Sequence, residues 1–235
     1  MPGAARGAQT SRTGSRAGVR TGAAPAATVK RVRPPLLLVR HGATPWTDPV
    51  RLYQGHVDVP LSDRGLAQAE GIATALRDEG LEAVWHSPLS RARATAEAIA
   101  SAAEVPCRAD DRLRELSFGS WEGRSHEDVR TSDPAAHERH YGDVLGGTPP
   151  GGEPVSSLLE RLADFLDERW VEGAGPVVAV THEGVIRAAA VVLGLVPLEG
   201  FYRLLPPPGS ALEVLPGTNG CARKGREFLP RIPRE

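Results

Sequence analysis

Two tracts place a histidine directly after an apolar run. In "PPLLLVRHGATPW", Pro34 to Trp46, four aliphatic residues lead into Arg40, His41 and Gly42; in "PVVAVTHEG" a second run leads into Thr181, His182, Glu183 and Gly184. A lone histidine at a strand end is ordinarily a hydrogen-bonded surface residue. Two of them, each delivered by a strand apolar enough for the middle of a sheet, face one pocket if the strands are neighbours, because open α/β sheets bind ligands beyond the carboxyl ends of their strands. Gly42 lets the backbone turn sharply and approach a ligand. Two histidines and a carboxylate can also hold zinc. Arg40 weighs against a cation beside His41 and favours an anion. A phosphate suits both an arginine fork and the N-terminus of the helix expected after His182.

The elements that must position these residues are legible as an alternation of strand and helix patterns. "PPLLLVRHG", "EAVWHS", "VPCRADDRLRE", "PVVAVTHEG" and "SALEVLP" read as strands. Between them, "LSDRGLAQAEGIATALRDEG" reads as a helix capped by Ser62 or Asp63 and closed by Gly80. "SPLSRARATAEAIASA" reads as a helix with Ser87 as N-cap, Pro88 at the first position and Leu89, Ala92, Ala96 and Ile99 on one face. "VSSLLERLADFLDERW" and "VIRAAAVVLGL" complete the helices. This order predicts one three-layer α/β/α domain over residues 33–216, with a mostly parallel central sheet.

Composition bounds the remaining possibilities. With 235 residues, 40% of them hydrophobic, the chain can build one substantial core. A net charge of -1 gives no general reason to expect nucleic acid or an anionic membrane as partner. Cys107 and Cys221 match no zinc or redox spacing, and no apolar run spans a bilayer, so a cytoplasmic location is expected. Residues 1–32 are rich in Gly, Ala, Ser, Thr and Arg, and the first acidic residue is Asp48. That segment is read as a disordered basic tail. Residues 217–235, again basic and proline-bearing, are read as a second one.

Six tracts in order, "LVRHGATPW", "YQGHVDVPLSDRGLAQAE", "SPLSRARATAEAIA", "RLRELSFGSWEG", "PPGGE" and "VTHEGVIRA", resemble the motifs of the histidine phosphatase superfamily in its phosphoglycerate mutase-like branch. The resemblance spans about Leu36 to Val214. It implies that His41 is a nucleophile forming a phosphohistidine. Arg40, Arg91 and His182 would hold the nonbridging phosphoryl oxygens, and Glu115 would serve as general acid and then base. Thr47, standing where members often have Asn, could reach a phosphate oxygen; Gln54 and Gly55 match the family and would line the pocket. No metal and no cofactor are implied. The expected partner is a small-molecule phosphate ester, with the protein a monomer or homodimer.

Two assignments have competitors. Arg93 lies two residues from Arg91, about 200° around the helix, so the two cannot share a target; the family pattern selects Arg91. Glu138, in "ERHYG", resembles the tract that carries the acid in mutases, whereas Glu115 stands in the family's "LRExxFGxWEG" context. His126, His137 and His140 are expected to be solvent-facing or to belong to a lid over the substrate. Glu183 departs from the Gly or Ala common at its position, and a carboxylate there would repel a phosphate unless it points away. The mutases carry a longer insert with paired arginines and an asparagine two residues after the second histidine. Here the insert is short and Gly184 fills that place, which favours hydrolysis over the alternative of mutase-type transfer. A non-catalytic phospho-ligand binding module on the same fold is the other alternative.

Overall fold

A computed structural model describes residues 33–47, 50–171, 175–217 and 222–229. The segment 1–32, expected to be a tail, lies outside the described residues. Six strands form one sheet: β1 (Leu36–Arg40), β2 (Ala83–His86), β3 (Cys107–Ala109), β4 (Val177–Thr181), β5 (Ala211–Pro216) and β6 (Ala222–Phe228), in the spatial order β3-β2-β4-β1-β5-β6. The first four in that order run parallel to their neighbours, while β5 is antiparallel to β1 and β6 to β5.

The two central strands are apolar on both faces because helices cover both. Leu36 and Leu38 of β1, with Val177 and Ala179 of β4, pack against α5 (Val155–Arg169) and α6 (Glu183–Val192). Leu37 and Val39, with Val178 and Val180, pack against α1 (Asp63–Leu76) and α2 (Ser90–Ala103). This is the period-2 alternation of a strand buried between two layers. The helices answer with helical spacing: Ile72, Ala73 and Leu76 on α1; Ala92, Ala96, Ile99 and Ala100 on α2; Leu158, Leu162, Phe165 and Leu166 on α5. α1 begins where expected, with the Ser62 hydroxyl accepting from the Gly65 amide.

Two readings of the sequence require correction. Ser87 does not cap α2, which starts at Ser90 with Leu89 in the N-cap position. The Ser87 amide instead donates to the Val180 carbonyl at 3.0 Å and prolongs the pairing of β2 with β4. The chain beyond 216 is not all tail, since β6 pairs with β5. Its polar sequence misled because an edge strand needs no apolar alternation. It is held by the backbone ladder and by Arg226, whose amide and guanidinium both donate to the buried Glu213 carboxylate of β5. Two short helices that composition did not announce, α3 (His126–Ser132) and α4 (Pro134–Gly142), stand beside the carboxyl edge of the sheet. Among the described residues no helix is long and apolar enough to cross a membrane.

Candidate active site

The register of the central strands brings the two histidines together. Arg40 of β1 pairs with Thr181 of β4. The next residue on each strand is therefore His41 and His182, whose rings meet edge to face with centroids 5.0 Å apart. The His41 amide donates to the Thr181 carbonyl at 3.0 Å, so the pairing continues one step beyond the strands. The loop after His41 rests directly on the start of α1. A Cβ on Gly42 would lie 2.3 Å from the Gly65 carbonyl oxygen, and one on Gly65 would lie 1.9 Å from that of Ala43. The Gly42 amide donates to Thr95 Oγ1 and the Ala43 amide to Gln68 Oε1, so the mount of His41 is fastened to both α1 and α2.

His41 is buried, and its Nδ1 lies 2.7 Å from the Gly42 carbonyl oxygen. A carbonyl only accepts, so Nδ1 carries the proton and Nε2 keeps the lone pair. Burial, then Arg91 and Arg40, hold the imidazole pKa well below 6.5. The ring is therefore neutral at physiological pH. His182 is wholly buried, and burial with Arg91 and His41 likewise lowers its pKa well below the usual histidine range. Neither of its ring nitrogens has a partner among the described residues, nor do the buried Nε atoms of Arg40 and Arg91. Buried polar atoms of this kind ordinarily find partners, so these nitrogens can take an anion's oxygens.

Arg91 and Arg93 separate as expected. Arg91 is fully buried, with Nη1 and Nη2 donating to the carbonyls of Val57 and Gly55, each at 2.8 Å. Burial lowers its pKa to about 10, against the opposing charges of Glu115, Asp58 and Glu122. Arg93 is exposed and only approaches Glu97 on its own helix. Glu115 is buried, with its carboxylate accepting from the amides of Leu116 (2.9 Å) and Gly184 (3.1 Å). Burial raises its pKa more than those hydrogen bonds and Arg91 lower it. Glu138 lies exposed on α4, outside the cavity. A Cβ at Gly184 would fall 2.4 Å from Glu115 Oε1, so an asparagine there would displace the carboxylate.

A cavity of about 360 Å³ opens over this group and is lined by His41, Arg40, Arg91, Glu115, Gln54 and Gly55 among others. His182 is not among the lining residues and meets the cavity only through its contact with the His41 ring. Thr47 does line it, but its hydroxyl accepts from the Thr44 amide and donates to the Thr44 carbonyl, both at 2.9 Å, shaping the loop. Gln54 accepts from the Thr44 hydroxyl at 3.0 Å. Gly55 contributes the carbonyl that orients Arg91. Glu183, a residue of concern in the sequence, is buried and ion-paired with Arg40 (2.6 Å), Arg51 (2.5 Å) and Arg187. The Glu183–Arg187 spacing of four on one helix face was the available sequence signal.

Of the two readings for His126, His137 and His140, the solvent-facing one fails at His140, which like the other two lines the cavity. Its ring is 1% exposed, fixed by the Gly147 carbonyl at 2.7 Å and the Tyr202 hydroxyl at 3.2 Å. With Tyr53, Tyr141, Tyr202 and a partly buried His126 stacked on Tyr53, it builds an aromatic wall of the cavity. Residues so distant in the chain share no spacing, so no local pattern announces the wall. Arg161 was also missed. It pairs with Glu153 of "PPGGE" at 2.7 Å and donates to the carbonyls of Arg112 and Glu115, which fastens the Glu115 segment to α5. Among the described residues no group of three or more His, Cys, Asp or Glu side chains is arranged to hold a metal ion.

The chain belongs to the histidine phosphatase superfamily (branch 1), whose family model matches residues 36–224. It is an enzyme of the phosphatase kind, acting on phosphate esters. Phosphoserine phosphatase 1 of Hydrogenobacter thermophilus is 35% identical over 171 residues, covering 71% of this chain and 79% of that one. The adenosylcobalamin/alpha-ribazole phosphatase of Salmonella typhimurium is 30% identical over 185 residues, covering 77% and 91%. Among solved structures, a mycobacterial glucosyl-3-phosphoglycerate phosphatase in complex with VO3 superposes with a TM-score of 0.73 at 27% identity, covering 83% of this chain and 98% of that one.

Proposed function

We propose that the protein hydrolyses a small phosphorylated metabolite through a phosphohistidine on His41, without a metal ion. The observation that carries this reading is the Nδ1 contact to the Gly42 carbonyl, which leaves a neutral ring with its lone pair on Nε2. In the first step Nε2 attacks phosphorus and the ester P–O bond breaks. Glu115, protonated, gives its proton to the departing oxygen. In the second, water attacks the same phosphorus, its proton passes to the Glu115 carboxylate, and the P–N bond breaks. Arg40 and Arg91, which line the cavity, receive the nonbridging oxygens, and His182, whose ring abuts His41 and keeps its nitrogens unpartnered, donates one N–H to the phosphoryl group once that group is on His41 Nε2.

Arg40 and Arg91, both cationic beside His41, support the metal-free reading, since a second cation at the nucleophile would be repelled. The close approach of Gly184 to Glu115 supports water as acceptor over mutase-type transfer, because the space for the mutases' asparagine is filled by the acid. Release of phosphate is to be screened over phosphoserine, α-ribazole phosphate, phosphoglycerates, sugar phosphates and nucleotides. Activity is expected to survive EDTA and to be inhibited by vanadate, whose five-coordinate form resembles the transferring group. Rapid quench into alkaline detergent is expected to trap phosphate on the wild-type chain that survives base and is lost in acid, and none on His41→Ala. Activity that disappears with EDTA and returns with zinc or magnesium would overturn the mechanism.

A further inference from the structure

Glu183 is the least expected side chain in the cavity wall. Both carboxylate oxygens are occupied: Oε2 by Arg40 Nη1, and Oε1 by Nη2 of Arg51 and Nη2 of Arg187. Burial favours the neutral acid, but Arg40, Arg187 and Arg51 outweigh it and keep the group ionised. Arg187 is itself fully engaged on this side, its Nε donating to the Leu204 carbonyl at 2.8 Å and its side chain only 11% exposed. Arg51 and Arg187 both line the cavity that holds His41. Without Glu183, they would present two guanidinium groups to whatever is attached to the phosphoryl group.

We propose that Glu183 is an internal counter-ion filling the anion site formed by Arg51 and Arg187, and that it thereby selects phosphate monoesters whose leaving group is uncharged. A carboxylate on the leaving group would have to displace one already tethered at zero translational cost. Glu183 also cancels one of the two positive charges that Arg51 and Arg187 would otherwise present across the cavity. What remains open is the solvent side of Arg51, whose side chain is 49% exposed and where an ion pair is worth little. Elsewhere the wall includes Trp46, Tyr53, Phe118, Tyr141 and Tyr202, which offer ring faces to an uncharged group. The inference rests on the proposed seat of the phosphoryl group at Arg40 and Arg91.

Two non-hydrolysable ligands that differ by one carboxylate test it: phenylphosphonate and 4-carboxyphenylphosphonate, titrated calorimetrically into the full chain. The ratio of their Kd values is the readout, so general damage to the phosphate seat cancels. Wild type is expected to prefer phenylphosphonate, and Glu183→Gln to shift the ratio toward the carboxylated ligand by roughly tenfold or more. Arg51→Met, at a half-exposed position that tolerates replacement, leaves Glu183 less compensated and is expected to move the ratio the other way. It carries the test alone should Glu183→Gln fail to fold. A ratio unmoved by either variant, a shift of Glu183→Gln toward phenylphosphonate, or no binding of either ligand to any of the proteins overturns the proposal. Turnover of phenyl phosphate is read separately: binding as expected with no hydrolysis would sink the hydrolase reading and leave this inference standing.

Discussion

The division of labour between two glutamates can be decided by leaving-group chemistry. Glu115 is buried against two backbone amides with a raised pKa, whereas Glu138 is exposed on α4. Glu115→Gln keeps shape and removes the transferable proton. Hydrolysis of an alkyl phosphate, whose alkoxide leaves poorly unprotonated, is expected to fall by roughly 10²- to 10⁴-fold. With an aryl phosphate the first step is expected to persist, giving a phenol burst in rapid mixing followed by slow turnover. Glu138→Gln is expected to match wild type on both substrates. The opposite pattern would move the acid to α4. At this scale the sequence was readable wherever a residue stood beside a sharp local signal. His41 and His182 ended apolar runs, and Arg91 was separated from Arg93 by helical angle. Glu183 was readable only in its spacing from Arg187, because its other partners, Arg40 and Arg51, reach it from another strand and a loop.

Long elements with an apolar buried face were legible in the sequence and β6 was not, although β3 was read as a strand with all three of its residues exposed. β1 and β4 pack on both sides, so their apolar runs stood out; β6 is an edge strand whose exposed residues follow solvent, not a core. α2 begins later than the serine's type suggests, at Ser90, with Leu89 extended before it and the Ser87 amide paired to the sheet. The structure gives β6 a definite energetic role. Arg226 donates three hydrogen bonds to Glu213, whose side chain is 5% exposed, and also reaches Glu79. Replacing Arg226 by Ala strands a buried carboxylate with only the backbone amide as donor, at a cost of about 1–3 kcal/mol. Ending the chain at 216 also uncovers the edge of β5, and its loss is expected to exceed that of the point variant. Urea denaturation of both checks this, and a truncated chain as stable as the full one would show that β6 contributes nothing to the fold.

For the whole molecule, the buried histidines make stability depend on pH. His41, His182, His140 and His126 all have pKa values lowered by burial in the fold, His126 to about 4. Above pH 6.5 they are neutral whether folded or unfolded. As pH falls below 6.5, the unfolded chain takes up protons that the fold refuses, and each such group costs up to about 1.4 kcal/mol per pH unit until its folded pKa is reached. Glu115 opposes this trend, since its raised pKa lets the fold bind a proton before the unfolded chain does. Four groups outweigh one, so the midpoint of thermal unfolding is expected to drop steeply from pH 7 to pH 5.5. Calorimetry across that range checks it, and a flat profile would mean that the histidines protonate in place.

The contact between the glycines that follow β1 and open α1 bears on how this enzyme can change over generations. At Gly42 and Gly65 the obstacle to a side chain is backbone, not another side chain. A neighbouring mutation that shrinks a core residue opens room for a larger one nearby, but no such compensation exists where two main chains touch. The two positions are thus closed to stepwise exploration, while Arg51, Leu205 and the cavity's exposed margin remain free to vary. New substrates are reachable for this scaffold by altering the cavity wall, with the mount of His41 inherited intact.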